Sequence, residues 1–432
     1  MDSRDIVLSI LLDIETKNTF SNIALSKALS KNQFEDKAIR AFTTRLAEGV
    51  VEKKITLDYV INQFSKTKIN KCKPLIRCLL RMGTYQILYM DGVPDSAACN
   101  EAVKLAKKHG FSSLSGFVNG VLRNISRNKD NIPEPQGDKT STEYLSIKYS
   151  IPMWLCEKIK DDYPEKYIKI LEGSFWDRDT SIRVNTNKIS RDELKKLIEE
   201  AGIEVSYGYY DDKALLLSNY DFIKKIPGYR QGYFSVQDES SMCAIRAAGI
   251  KKDDVVMDVC AAPGGKTTCA AEYLMGKGKV YSMDISVDKL ELIEENAKRL
   301  GLDNIKITAH DATIPLTDAD IDVKIADVVI ADLPCSGLGI IGRKNDIKYR
   351  VSAEQINELV ELQRKILDVV NAYVAPGGVL VYSTCTINPQ ENQNNLKWFL
   401  DRHKDFSLLE ERLFLQGIDN CDGFYYAVMK KA

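Results

Sequence analysis

Histidine is scarce in these 432 residues: only His109, His310 and His403 occur, and none stands at metal-ligand spacing from another. A structural zinc site, or any other bound metal, is therefore not expected. Ten cysteines occur without a single CxxC pair. In a chain of this length they read as reduced thiols, not as a secreted disulfide framework. Long apolar runs are missing too, and nothing approaches the roughly 20 residues that span a bilayer. The opening Met1-Asp2-Ser3-Arg4-Asp5 lacks the basic flank and apolar core of a secretory signal. Together these absences point to a cytoplasmic protein with no membrane partner. Internal repeats and low-complexity tracts are also absent.

Net charge is nearly absent, at −1, but the sum hides an asymmetry. Residues 1–130 carry 21 Lys+Arg against 13 Asp+Glu, or +8, which leaves −9 for the remainder. A basic module joined to an acidic one suits a polyanion-binding segment that delivers substrate to a catalytic domain; a solvated helical surface accounts for the charge equally well. A hydrophobic content of 44% with 28% charged residues is that of an ordinary soluble protein, and the length predicts two or three domains.

Residues 1–128 read as successive helices, with Ile6, Ile10, Leu11 and Ile14, then Leu75, Leu79, Met82 and Ile87, at helical spacing. Basic runs lie at Lys66–Lys73 and Lys104–Lys108. A polar linker, Arg127 to Asp138 with Pro133 and Pro135, marks a boundary. Residues 140–235 predict a small α+β platform: helical patterning from Tyr149 to Glu172, a strand at Ser181–Asn185, a helix at Arg191–Ala201 and a strand at Ala214–Leu217. From 236 to 432 strands alternate with helices, which predicts a doubly wound parallel sheet. Its strands are Val255–Val259, Lys279–Met283, Ile305–Thr308, Ala326–Ala331 and Gly378–Tyr382.

Ligands bind such sheets beyond the carboxyl ends of the strands. After the first strand comes Cys260-Ala261-Ala262-Pro263-Gly264-Gly265-Lys266-Thr267, whose small residues let a ligand approach the backbone and a helix N-terminus. Asp284, 20 residues past Gly264, ends the second strand, where an acid accepts the ribose hydroxyls of an adenosine-type cofactor. Asp311 follows the third strand and suits an adenine amino group. The loop is not GxGxxG. It misses the phosphate-loop pattern GxxxxGK[ST] by one residue, with Cys260 in place of the first glycine, so a nucleotide hydrolase is the competing reading. That reading leaves Asp284 and the cysteines beyond the fourth and fifth strands without a role.

Those cysteines sit in Asp332-Leu333-Pro334-Cys335-Ser336 and Ser383-Thr384-Cys385-Thr386. Two thiols at the functional edge beside an acid suit chemistry at C5 of a pyrimidine. A thiolate adds to C6 and makes C5 nucleophilic. Asp332 is placed to serve the ring's N3. The second cysteine assists release of product. The thiolate calls for an electropositive setting, and the base must leave its stack to reach it. The residues alone do not say which cysteine attacks.

At Cys260–Thr268, Asp332–Ser336, Thr384-Cys385, Phe234–Glu239 and Asp422–Ala427 the chain resembles the Sun family of RNA cytosine-C5 methyltransferases. The resemblance implies a C-terminal class I (Rossmann-like) methyltransferase domain. It also implies that Cys260 to Lys266, Asp284, Asp311 and Asp332 contact S-adenosylmethionine. Within it, Cys385 is the nucleophile and Cys335 aids product release. Arg77–Gln86, Asn100–Ala106 and Gly116–Arg123 resemble the NusB-like RNA-binding helical domain. The fusion of the two resembles the family's 16S rRNA enzymes, which implies cytosine 967 of 16S rRNA as target, with RNA and not DNA as partner and a monomer as the working form. Another RNA such as tRNA, or an RNA-binding assembly factor with an inactive methyltransferase fold, stand as alternatives. The stretch Arg343–Tyr349 departs from the family at Asn345, often proline, and Tyr349, often tryptophan; Leu333 replaces a frequent alanine.

Overall fold

Apolar residues at helical spacing become helices throughout the N-terminal region of the computed structural model, which describes residues 2–31, 37–176, 178–317, 321 and 323–432. The chain divides into two units, Met1–Phe175 with Ile341–Arg350, and Trp176–Ile340 with Val351–Ala432.

In the first unit, helices Ser3–Lys17, Ser21–Lys31, Lys37–Glu52, Lys54–Phe64, Pro74–Tyr89, Asp95–Lys108 and Ser115–Arg127 enclose a core that includes Leu8, Leu46, Leu57, Ile61, Leu79 and Leu122. The caps are local: Asp2 accepts the Arg4 N–H, and Pro74 opens its helix where no N–H is needed. The NusB-like stretch Arg77–Gln86 is largely buried. Arg81 there donates to both oxygens of Asp58, at 2.7 and 2.8 Å, and to Glu15 at 3.1 Å. The lysines of both basic runs are exposed.

Helices Thr142–Lys148, Met153–Asp162 and Tyr167–Gly173 belong to this unit. The helical pattern read from Tyr149 to Glu172 is thus broken at Tyr163-Pro164, where proline cannot supply the next hydrogen bond. The segment Ile341–Arg350 packs here as well. The Tyr349 hydroxyl lies 2.9 Å from the Ser150 carbonyl and 3.0 Å from that of Glu52. Lys348 is buried and donates to Glu52 O at 2.9 Å.

The second unit opens with an antiparallel sheet of β1 (Thr180–Val184), β2 (Glu204–Tyr207), β3 (Ala214–Ser218) and β4 (Phe234–Val236), in the order β2-β3-β1-β4. Helix Arg191–Glu199 packs on it, started by a Ser190/Glu193 capping box. The larger sheet contains β5 (Val255–Asp258), β6 (Lys279–Asp284), β7 (Ile305–Ala309), β8 (Ala326–Asp332), β9 (Val374–Thr384), β10 (Phe406–Phe414) and β11 (Phe424–Lys431). Its order is β10-β11-β9-β8-β5-β6-β7, with β5 to β9 parallel and β10 and β11 antiparallel. The five expected strands are present, while β2, β4, β10 and β11 were not read from the sequence. The order reverses between β5 and β8, so a crevice opens beyond their carboxyl ends.

Candidate active site

The loop after β5 turns at Gly264, whose φ of 97° suits glycine; an added Cβ there would press on Ile293 at 3.2 Å. Helix Gly265–Tyr273 follows. Its position is fixed from the smaller sheet by Arg183 of β1, fully buried, which donates to Glu272 at 2.9 and 3.0 Å and to the Gly265 carbonyl at 3.1 Å. Arg183 is therefore a brace for the helix that follows this loop.

Around this loop the carboxylates converge. Asp284 accepts from the Ala262 and Ser286 N–H groups, at 3.0 and 2.9 Å. Asp311 accepts from the Thr313 N–H at 2.9 Å, and that hydrogen bond holds its carboxyl below the usual range. Asp258, which the sequence offered only as a strand residue, is buried. Thr267 donates to its Oδ2 at 2.7 Å, while its Oδ1 has no partner. Burial, with the charges of Asp332 and Asp284, pushes the Asp258 carboxyl up to about 7.

A cavity of about 170 Å³ lies here, lined by Asp258, Cys260 to Pro263, Gly265, Lys266 and Asp332 among others. An orphaned buried carboxylate oxygen and a set of acid acceptors fit a ligand that is cationic and rich in hydroxyls, as S-adenosylmethionine is. They do not fit a triphosphate, which would be repelled. Burial pushes the Cys260 thiol up, which favours its neutral form.

Asp332, at the end of β8, receives Lys266 Nζ at 2.8 Å and the Ser383 hydroxyl at 2.7 Å. Parallel pairing sets Asp332 beside Ser383, so the two cysteine loops leave the sheet together. Cys335 Sγ and Cys385 Sγ are 3.3 Å apart, both as free thiols. The hydrogen bond with Cys385, burial and the charge of Glu391 hold the Cys335 thiol well above the ordinary range. A lowered thiol was the expectation for the reacting cysteine, and Cys335 does not meet it. Gly339 donates to the Cys385 carbonyl at 3.1 Å. A Cβ at Gly339 would sit 1.8 Å from Gly423 O.

The entry and closing segments also meet, with the Asp422 N–H donating to Asp238 at 3.3 Å. Leu333 is buried in the core. Glu391 went unremarked in the sequence, although the polar Asn388-Pro389-Gln390-Glu391-Asn392 cluster directly after Cys385 was a signal. Its carboxylate accepts four hydrogen bonds beneath the cysteines.

Residues 247–430 match the family model described as 16S rRNA methyltransferase RsmB/F, residues 1–127 the NusB family, and residues 151–221 an RsmF/B-like ferredoxin-like domain. A Bacillus subtilis protein named as a probable ribosomal RNA small subunit methyltransferase B is 36% identical over 99% of this chain and 98% of its own length. The Vibrio cholerae ribosomal RNA small subunit methyltransferase B is 32% identical over 90% and 89%. The crystal structure of PH0851 superposes with a TM-score of 0.83 at 26% identity, covering 100% of this chain and 99% of that one.

Proposed function

Because this chain belongs to the RsmB/F family of methyltransferases, whose cofactor is S-adenosylmethionine, we propose that it methylates C5 of a cytosine in 16S rRNA, with Cys385 as nucleophile. By resemblance the target is cytosine 967. The modules proposed are residues 1–128 for RNA binding, 140–235 as a substrate platform and 236–432 for catalysis. The enzyme works in the cytoplasm as a monomer, on RNA and not DNA.

The observation that carries this reading is the thiol pair at 3.3 Å. Either sulfur can donate across this contact, and it is the resemblance at Thr384-Cys385 that makes Cys385 Sγ the attacking atom. A bond forms from Cys385 Sγ to C6, and electron density moves onto N3. Asp332, paired with Lys266 at 2.8 Å, serves N3 in this reading, stabilising the charge that builds there. Cys260 to Lys266, Asp284 and Asp311 hold the cofactor, which supplies an electrophilic methyl group when bound. After transfer Cys335, directly or through a water, assists removal of the C5 proton, and the Cys385–C6 bond breaks with its electron pair returning to Cys385 Sγ.

Two substitutions test this on rRNA with labelled cofactor. Cys385→Ala abolishes transfer. Cys335→Ala accumulates a covalent enzyme–RNA adduct that survives denaturation. Residual methylation by Cys385→Ala, or an adduct that needs Cys335, overturns the assignment. Labelling of tRNA but not rRNA would move the substrate to another RNA.

A further inference from the structure

We propose that Glu391 is a positioning residue for the thiol pair: its one carboxylate ties the Cys335 and Cys385 loops together and sets a negative charge against a thiolate at Cys335. The catalytic consequence rests on the methyl-transfer reading above; the effect on the thiols does not.

Glu391 is fully buried, and among the described residues no lysine, arginine or histidine forms an ion pair with it. Four donors replace a countercharge. Oε1 accepts from Ser336 N–H at 2.8 Å and Gln363 Nε2 at 3.2 Å; Oε2 accepts from the Ser336 hydroxyl at 2.5 Å and Asn388 Nδ2 at 2.8 Å. Gln363 also donates to the Pro334 carbonyl at 2.8 Å. Ser336 is thus bonded directly to the carboxylate, and Pro334 is linked to it through Gln363.

The other loop is held from the same segment. The Thr384 hydroxyl donates to Asn392 at 2.6 Å, and Asn392 donates to the Thr386 carbonyl at 2.9 Å. Thr386 and Ser336 meet hydroxyl to hydroxyl at 2.8 Å. The Tyr382 hydroxyl donates to the Glu391 carbonyl, which locks the segment to β9.

Such a clamp is more than structural because of its charge. A negative charge buried in a dry setting opposes a second one nearby. The hydrogen bond with Cys385, burial, the charge of Cys385 and then that of Glu391 all push the Cys335 thiol up. The other ionisable groups about this cluster are Tyr382, Arg364 (through Asn395 and Gln363), Cys385 itself and the Lys266–Asp332 pair.

The test is Glu391→Gln in the full chain, which keeps the shape and removes the charge. Iodoacetamide labelling of the free enzyme from pH 6 to 10, read per cysteine by peptide mass spectrometry, reports each thiol without RNA. Cys335 labels roughly tenfold faster at a given pH in the variant, equivalent to about one pH unit. The kcat for methyl transfer falls about 10- to 100-fold, since small displacements of reacting groups are costly. Affinity for S-adenosylmethionine stays within about twofold, which verifies the fold.

Ser336→Ala retains the charge and removes one strut, so kcat falls several-fold while the Cys335 labelling profile stays put. An unchanged Cys335 profile in folded Glu391→Gln overturns the proposal. If that variant does not fold, wild-type kcat in both Ser336→Ala and Asn388→Ala overturns it. Changed labelling together with no methylation of any RNA would instead sink the proposed reaction and leave the role of Glu391 standing.

Discussion

Lys266 Nζ lies 2.8 Å from Asp332 Oδ2, joining the first turn of a helix to the end of β8. One residue comes from the cofactor loop and the other from the cysteine loop, so their pairing couples the two halves of the crevice. Asp332→Asn and Lys266→Met should each lower kcat by roughly 100-fold, the usual range for a proton-transfer group. Residues that act as a unit are not additive, so the double variant should lose little beyond either single one. A double variant whose loss equals the product of the two would show that they act independently.

Asp258 gives the site a pH signature. Its folded carboxyl titrates near 7 against 3.8 for the ordinary group. Because the folded value is raised, the folded state holds a proton that the unfolded state has lost. Stability from this residue is complete below about pH 4 and disappears as pH rises through about 7. Asp258→Asn removes the titration, with the amide oxygen able to accept from Thr267. Relative to wild type the variant should gain stability between pH 4 and 8, by up to about 4 kcal/mol. Paired thermal melts across that range check it, and a constant difference in Tm would contradict the assignment.

How far the sequence could be read depends on what each residue answers to. β5, β6, β8 and β9 are buried apolar runs between helices, and such runs announce parallel strands. β10 shows solvent along Ser407–Glu411, and β2 is mostly exposed. Their pairing is set by neighbours distant in sequence, so no local pattern betrayed them. The loop after β5 and the strand-end acids stood out by their spacing, and the structure gathers Cys260 to Pro263, Gly265, Lys266 and Asp332 around one cavity, with Asp284 bonded to the Ala262 N–H. The choice between Cys335 and Cys385 was not legible, since both follow adjacent strands and their sulfurs meet at 3.3 Å; only the resemblance at Thr384-Cys385 separates them. Tyr349, a departure from the family, became intelligible through its hydroxyl, which meets the Glu52 and Ser150 carbonyls.

Tyr349→Phe should destabilise the first unit by about 1–3 kcal/mol, because it leaves the buried Ser150 carbonyl without this donor, while Lys348 still serves the Glu52 carbonyl. Denaturant melts with unchanged m-values check this.

Lys348 predicts a pH dependence of the opposite sense. Burial lowers its ammonium from 10.5 to about 7, and the rings of Phe175 and Tyr349 lie 4.9 and 5.3 Å from Nζ. Between those values the unfolded chain binds a proton that the folded one does not. Stability from this residue therefore rises with pH from about 7 to 10.5. Lys348→Met should stabilise most at pH 6 to 7 and progressively less at pH 9 to 10. A benefit that does not shrink with pH would mean that Lys348 titrates normally in the folded protein.

Gly339 tests whether the cysteine loops tolerate any slack. Its N–H holds the Cys385 carbonyl at 3.1 Å, and Gly423 N–H donates to its own carbonyl at 2.9 Å. A Cβ would fall 1.8 Å from Gly423 O and 2.9 Å from Cys385 O, both backbone atoms that cannot swing aside as a side chain does. Gly339→Ala must therefore move the Cys385 main chain. Displacement of a nucleophile by about 1 Å is worth on the order of 100-fold in rate. The cofactor loop lies on β5, outside these contacts, so S-adenosylmethionine should bind normally while kcat collapses. Equilibrium binding and single-turnover methylation of the same preparation separate the two. Loss of cofactor affinity in step with kcat would show that the damage spreads beyond the thiol pair.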